Sequence, residues 1–338
     1  MKKRLFITIL SVLVLVLAAC GNTDAEKKEE SASKDEEAKA IRIGYFPNMT
    51  HIATIVSLEK GYFEEQFGSD VNIKTNTFND GSSFMEAMST DAIDIGTVGP
   101  TPALNTYIKN PKHEIISGAV NGGAVLVVAK DSNINSVKDL VGKKIAIPTF
   151  GSTQDVGLIK SLKDAGIDVN QVTKVKQAPA DTAALILKGE LDGAATQEPW
   201  GVNIETTAGA KLLLDENQFA WGSESTNTVV VARSKFTEAN PELTKKYLKA
   251  HIQAINFINE NPDEAIQLFL DHIKAITGKD LSKDEVTKAF DRLKATTDVN
   301  EDVIKEMATI SKEAGYINSD DIEGLVNLTY LDEVLNEQ

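Results

Sequence analysis

Two runs, Gly123–Lys130 (GAVLVVAK) and Thr226–Arg233 (TNTVVVAR), decide the fold. Each is rich in valine and is followed by a short polar turn, so each reads as a strand. Elsewhere up to Leu214 the chain alternates strand and helix. These two runs break the alternation and bracket its second series. A strand in that position suits a chain passing from one lobe to another and back.

Working outward, the first series has strands at Ile41–Phe46 (IRIGYF), Val71–Phe78, Ile93–Val98 and His113–Val120. Between them lie helices at Met49–Lys60, closed by Gly61, then Ser83–Ser89 and Pro102–Lys109. The second series has strands at Lys144–Pro148, Val172–Gln177, Asp192–Thr196 and Lys211–Leu214. Its helices are Thr153–Ala165, Ala180–Leu187 and Pro199–Ala208. Alternation at this spacing implies parallel strands with helices on both faces. From Phe236 the chain is almost wholly helical, with Leu243, Tyr247, Leu248, Ile252, Ile255 and Ile258 on one face and Pro262 starting a new helix. The expected fold is α/β and two-lobed, each lobe a mixed, mostly parallel sheet flanked by helices. Residues 40–125 begin lobe 1, 126–227 form lobe 2, and 228–338 complete lobe 1 with a helical tail.

The amino terminus carries an address. Lys2, Lys3 and Arg4 precede an apolar run from Leu5 to Leu17, then Ala18-Ala19-Cys20-Gly21. A basic start, a short apolar stretch and small residues before a cut site make a secretory signal over residues 1–20. The run is shorter than the ~20 residues of a spanning helix. Leu17-Ala18-Ala19-Cys20 resembles a bacterial lipobox, which implies lipid attachment at Cys20 and a place on the outer face of the cell membrane. Residues 21–39, charged and with no aliphatic side chain larger than alanine, read as a disordered tether.

Cys20 is the only cysteine, so the mature domain has no disulfide, thiolate metal site or cysteine nucleophile. With 50 acidic against 35 basic residues and a net charge of −15, the chain is a poor partner for nucleic acid. The four histidines are scattered, and no HExxH, GxSxG, Walker or GxGxxG pattern occurs. No metal or cofactor is expected.

The chemistry concentrates after strands. Five junctions carry unusual polar content: Phe46–His51, Asp80–Ser83, Gly99–Pro102, Pro148–Thr153 and Gln197–Trp200. Ligands of open α/β sheets bind beyond the carboxyl ends of strands, and helix N-termini there favour anions. Ordinary capping accounts for each junction singly: Ser83 with Glu86, Ser152 with Asp155, and Thr101 before Pro102 have N-cap spacing. Several on facing lobes make a cleft an equal alternative.

These residues carry a resemblance. The stretches Ile43–His51, Asp94–Pro102, Leu140–Ala146, Gly193–Trp200 and Asn261–Ala265 are similar to those of substrate-binding lipoproteins of ABC importers, in the branch taking sulfonates, nitrate and taurine. The resemblance spans roughly residues 41–330 and implies a periplasmic-binding-protein-like (type II) clamshell. It implies a cleft lined from Asn48, His51, Ser82, Ser83, Thr101, Thr149, Ser152, Thr153, Glu198 and Trp200. It also implies a monomer that serves a cognate permease and ATPase.

No lysine or arginine sits in those loops, so an anion would be held by neutral donors. A sulfonate-like anion fits, being fully ionised and donating no hydrogen bond. Glu198 either caps its own helix or meets a donor on the ligand, and Trp200 could wall a tail. Nitrate, taurine and a thiamin-pyrimidine-like heterocycle stay open as ligands. An enzyme on the same fold is the reading from another class, although the cysteine-rich motif of such relatives is absent.

Overall fold

The computed structural model describes residues 40–337. The expected signal, Cys20 and the tether lie outside the described residues.

The first series forms β1 (Ala40–Tyr45), α1 (Ile52–Glu59), α2 (Tyr62–Phe67), β2 (Asn72–Thr77), α3 (Gly81–Ser89), β3 (Ile95–Val98), α4 (Pro100–Lys109) and β4 (His113–Gly122). The second forms β5 (Ala124–Val128), β6 (Lys144–Ile147), α5 (Thr153–Asp164), β7 (Thr173–Lys176), α6 (Pro179–Leu187), β8 (Gly193–Gln197), α7 (Trp200–Ala208) and β9 (Lys211–Leu214). The chain then returns through β10 (Thr226–Arg233) to α8 (Ser234–Ala239), α9 (Pro241–Glu260), α10 (Pro262–Thr277) and α11 (Lys283–Phe290). It ends with β11 (Leu293–Ala295), α12 (Glu301–Glu313) and α13 (Thr329–Asn336).

Two sheets result, ordered β11-β4-β10-β3-β1-β2 and β7-β6-β8-β5-β9. Each sheet with its flanking helices is a lobe. Parallel pairing holds for β1 with β2 and β3, and for β6 with β7 and β8. The crossover strands pair otherwise: β10 inserts antiparallel between β3 and β4, and β5 lies antiparallel to β8 and β9. With β11 also antiparallel to β4, antiparallel pairs outnumber parallel ones by five to four, more than the alternation implies. Residues buried on both faces give no sequence signal of strand direction.

The crossovers run side by side where Gly122 N–H donates to Ser225 C=O at 2.9 Å. Gly122 and Gly123 both have positive φ, +71° and +74°, which glycine adopts without strain. The six apolar residues of α9 that share a face are all buried beneath the first sheet. Burial of such side chains, at roughly 1.5–3 kcal/mol each, is what docks the helical tail. Asp94 is buried between Arg42, at 2.6 Å, and Arg233, and ties β1, β3 and β10 together at one end.

Two helices start earlier than their spacing implies, because other residues cap them. Helix α3 begins at Gly81 because Asp80, not Ser83, is the N-cap; its carboxylate accepts from Ser83 N–H at 3.0 Å. Helix α4 begins at Pro100, with Gly99 before it, so Thr101 lies inside the helix. The segment 49–60 divides into a 3-10 turn and α1, and Gly61 (φ +70°) opens α2, which the sequence reading passed over. Among the described residues no helix is long and apolar enough to cross a membrane.

Candidate functional site: the cleft between the lobes

A small cavity of about 40 Å³ lies where the carboxyl ends of both sheets face each other. Lobe 1 contributes Phe46, His51 and Gly99, lobe 2 Ser152, Thr153 and Gln154, and the returning crossover Asn227 and Thr228. At ~10–15 Å³ per water, it has room for a few waters or a compact oxyanion head.

The lobe 2 wall is the start of α5. Ser152 is the N-cap, accepting from Asp155 N–H at 3.2 Å. The N–H groups of Thr153 and Gln154, in the first turn, have no intrahelical acceptor and carry the positive end of the helix dipole. The Thr153 hydroxyl is buried and has no partner among the described residues. Gln154 is held by Asn227, whose side-chain oxygen accepts from its amide at 3.2 Å, and Asn227 is tied in turn to Gly122 C=O at 2.8 Å. The second crossover thus braces the helix start.

The lobe 1 wall centres on His51. Its ring lies 4.6 Å from that of Phe46, and Nδ1 lies 2.7 Å from the Thr97 hydroxyl. Thr54 meets the same hydroxyl at 3.1 Å. Burial pushes the His51 pKa down to about 3, so the ring is neutral near pH 7. A Thr97 hydroxyl that donates to Nδ1 leaves the proton on Nε2, making the ring an uncharged donor.

A second chamber of about 350 Å³ adjoins the first and shares Phe46, Asn79 and Gln197 with it. Asn48 and Trp200 line this chamber. Asn48 also braces its own turn, accepting from Thr50 N–H at 3.1 Å and from the Thr50 hydroxyl at 2.6 Å.

The remaining expected residues are used differently. Ser83 is exposed and bonded to Asp80 through both N–H and hydroxyl. Ser82 is exposed and lines a separate 430 Å³ groove with Asn105 and Tyr316. The Thr101 hydroxyl points at Met307 sulfur, 3.5 Å away. Thr149 is buried, and its carbonyl accepts from Ser152 N–H at 3.2 Å. Glu198 is fully buried and lines neither cleft cavity: Arg292 donates to Oε1 at 2.6 Å and Val202 N–H to Oε2 at 3.0 Å. Its capping role is therefore realised, and its second oxygen is taken by an arginine far along the chain.

The structure adds Gln154, Asn227 and Thr228, outside the expected set, and Gln197, which belongs to an expected junction but not to the expected ligand residues. Gln154 had a signal, since it follows Ser152-Thr153 in a first helical turn. The others reach the cavity from a crossover strand and a strand end, and only the tertiary fold brings them there. All arginines among the described residues are committed elsewhere, Arg42 and Arg233 to Asp94 and Arg292 to Glu198.

The lobes are in contact around this cleft. Met49 N–H donates to Glu198 C=O at 3.1 Å and the Asn105 amide to Gly151 C=O at 3.1 Å. Tyr316 donates to Asp155 at 2.5 Å, and Lys174 meets the other oxygen of Asp155 at 2.7 Å.

Residues 34–270 match the NMT1-like family, well over half of the chain. This chain belongs to the NMT1-like family. As an NMT1-like protein it is 28% identical, over 100% of its length and 98% of the relative's, to a Bacillus subtilis (strain 168) protein named for aliphatic sulfonate binding. It is 32% identical to the taurine-binding periplasmic protein of Escherichia coli (strain K12), over 60% of this chain and 61% of that one. Among solved structures it shares its fold with the alkanesulfonate-binding protein SsuA of Xanthomonas axonopodis pv. citri bound to MOPS. That match has a TM-score of 0.74 at 19% identity and covers 86% of this chain and 99% of that one. The nitrate-binding protein NrtA of Synechocystis PCC 6803 gives 0.75 at 12% identity, covering 90% of each chain. These relatives are named as binding proteins rather than enzymes, and the two solved structures share this chain's α/β fold.

Proposed function

We propose that this NMT1-like protein is the extracytoplasmic solute-binding component of an ABC importer and that it captures a sulfonate-like anion between its lobes. The observation that carries the reading is the buried, unpartnered Thr153 hydroxyl at the start of α5. It opens into a small cavity together with free first-turn N–H groups and a neutral histidine. No lysine or arginine lines that cavity. Such a set of donors suits an anion that is ionised at every physiological pH and has no proton of its own to place. The names of the relatives favour the same ligand class. Capture and release need the lobes to part and close, and the two crossovers at Gly122 and Ser225 are the natural hinge. Lipidation at Cys20 would keep the protein beside its permease as a monomer.

Titration calorimetry of the purified domain with methanesulfonate, taurine and nitrate tests the reading. A sulfonate should bind with saturation at one site and raise the unfolding temperature as mass action requires. Tight binding of nitrate with no response to any sulfonate would overturn the ligand class. Turnover of a bound compound would overturn the transport role. Cys20→Ser should release the protein from the membrane fraction; retention through a labelled lipid would contradict the anchor.

A further inference from the structure

We infer that Tyr247, on the helical tail and outside the cleft, is a positioning residue: through Thr54 and Thr97 it fixes which nitrogen of His51 presents a proton to the anion. The inference rests on the anion reading of the small cavity.

Four buried polar side chains run in line from the tail to the cleft. Tyr247 lies on α9, Thr54 on α1, Thr97 on β3 and His51 at the start of α1. At the cleft end, Thr54 Oγ1 lies 3.1 Å from Thr97 Oγ1, and Thr97 Oγ1 lies 2.7 Å from His51 Nδ1. A line of hydroxyls can run in either direction, because each both donates and accepts. In one direction Thr97 donates to Nδ1, and the ring keeps its proton on Nε2. In the other, Nδ1–H donates to Thr97, and Nε2 offers a lone pair to the cavity that His51 lines. An anion is held by the first and repelled by the second. Neither threonine decides between them.

Tyr247 decides. Its ring stacks on Phe63 at 5.0 Å between centroids, inside the apolar core beneath the first sheet. No close partner meets its hydroxyl among the described residues, and the one side chain set to bond it is Thr54. The Nδ1 of His251 is a rival acceptor, but that ring lies nearly parallel to the phenol ring, at 6.3 Å and 16°, and the two atoms do not bond each other. If the line ran away from His51, Thr54 would donate to Tyr247 and the phenol proton would have no acceptor. If it runs toward His51, Tyr247 donates to Thr54, Thr54 to Thr97 and Thr97 to Nδ1, so every proton is used. An orphaned buried donor biases the choice by roughly fivefold to a hundredfold. A residue of the tail, docked on lobe 1 by its apolar face, thus sets the polarity of a cleft wall.

The test is nitrogen NMR of the His51 ring at pH 7 without ligand, on the wild type, Tyr247→Phe, Thr54→Val and Thr54→Ser. Phenylalanine keeps the stack on Phe63, and valine keeps the shape of threonine, so both variants should fold. The Nε2–H form should make up about nine-tenths or more of the wild-type ring. In Tyr247→Phe and Thr54→Val the Nδ1–H share should rise at least about fivefold, while Thr54→Ser, which keeps the hydroxyl, should read as the wild type does. Calorimetry with methanesulfonate should follow the Nε2–H fraction, with a loss of about twofold at an equal mixture. A purely structural role for Tyr247 would lower the unfolding temperature and leave the tautomers alone. Identical tautomer ratios in the wild type, Tyr247→Phe and Thr54→Val would overturn the inference, whatever the protein binds. If the ratios shift as expected but no sulfonate binds even the wild type, the anion reading fails and the control of the His51 tautomer by Tyr247 is upheld.

Discussion

Gly99 in lobe 1 and Thr153 in lobe 2 approach so closely that a Cβ on Gly99 would stand 2.4 Å from the Thr153 hydroxyl. Nothing in the backbone demands glycine there: φ is −64° and ψ is 144°, open to any residue. The glycine is needed by the facing lobe and not by its own. It bears on closure, and closure can be tested apart from folding.

Gly99→Ala should leave the fold of each lobe intact, because the clash is only with the facing lobe, and should disfavour the form in which the lobes touch. It should weaken sulfonate binding at least tenfold, because the lobes can no longer close over the ligand. Adding Thr153→Ala removes the offending oxygen and leaves the Thr153 Cβ at 3.4 Å, an ordinary contact. The double variant should close again in X-ray scattering while still lacking one ligand hydrogen bond. A single variant that closes as the wild type does would show that the approach is incidental.

On the far side of the cleft Tyr316 should act as a latch. Burial and the neighbouring Asp155 carboxylate raise its phenol pKa, so it stays protonated and donates. Asp155 is in the first turn of α5, two residues after Thr153, so a grip on Asp155 also fixes the anion-binding turn. Tyr316→Phe removes one charge-assisted bond that exists only between closed lobes. Affinity should drop by roughly tenfold, with the loss in the dissociation rate and little change in association. Stopped-flow measurement separates the two; a loss confined to association would point to a different role.

The pair Arg292–Glu198 lies beside the crossover, since Gly123 N–H donates to Arg292 C=O at 2.8 Å and Glu198 N–H to Gly123 C=O at 2.9 Å. Arg292 also meets Glu205 at 2.7 Å. Burial pushes the Glu198 carboxyl up to about 7, against the opposing pull of Arg292. Native Glu198 thus keeps a proton that the unfolded chain releases near 4.5, and its contribution to stability falls as pH rises from 4.5 to 7. Arg292→Met leaves the carboxylate without its counter-charge and should destabilise by roughly 3–5 kcal/mol. The loss should be larger at pH 8 than at pH 5, and Glu198→Gln in the same chain should remove the difference. Urea midpoints at the two pH values are the measurement; an equal loss at both would refute the coupling.

The sequence was legible where periodicity and local chemistry carry the information. The crossovers at 123–130 and 226–233, the buried face of α9 and the Ser152 cap are all readable from neighbours a few residues apart. Legibility ended where the partner is distant. Asp80 and Ser83 compete for one helix start, and spacing alone favours the serine because it is followed by Glu86. Glu198 sits next to Pro199 in a plausible cleft loop, and nothing local says that Arg292, 94 positions later, neutralises it. Asn227 enters the cavity only because β10 inserts between β3 and β4, a choice of direction that a fully buried strand does not advertise.

His51 should read the ligand as a neutral donor, and its pH behaviour tests this. Its native pKa of about 3 lies far below the unfolded value of 6.5, and burial is the cause. As pH falls below 6.5 the unfolded chain takes up a proton that the native ring refuses. The stability present above 6.5 is therefore lost progressively down to about 3, by at most about 1.4 kcal/mol per pH unit. His251, which burial pushes down to about 4, adds to the same limb. His51→Gln should flatten the acid limb in urea midpoints between pH 7 and 4, leaving the shares of His251 and of His113, which burial also pushes down. Because neither the ring nor a sulfonate titrates between pH 8 and 5, affinity in the wild type should stay level across that range, and the ring should show an Nε2-protonated tautomer by nitrogen NMR. An affinity that climbs as pH drops from 7 to 5 would mean that an imidazolium holds the anion, and the neutral-donor reading of this wall would be abandoned.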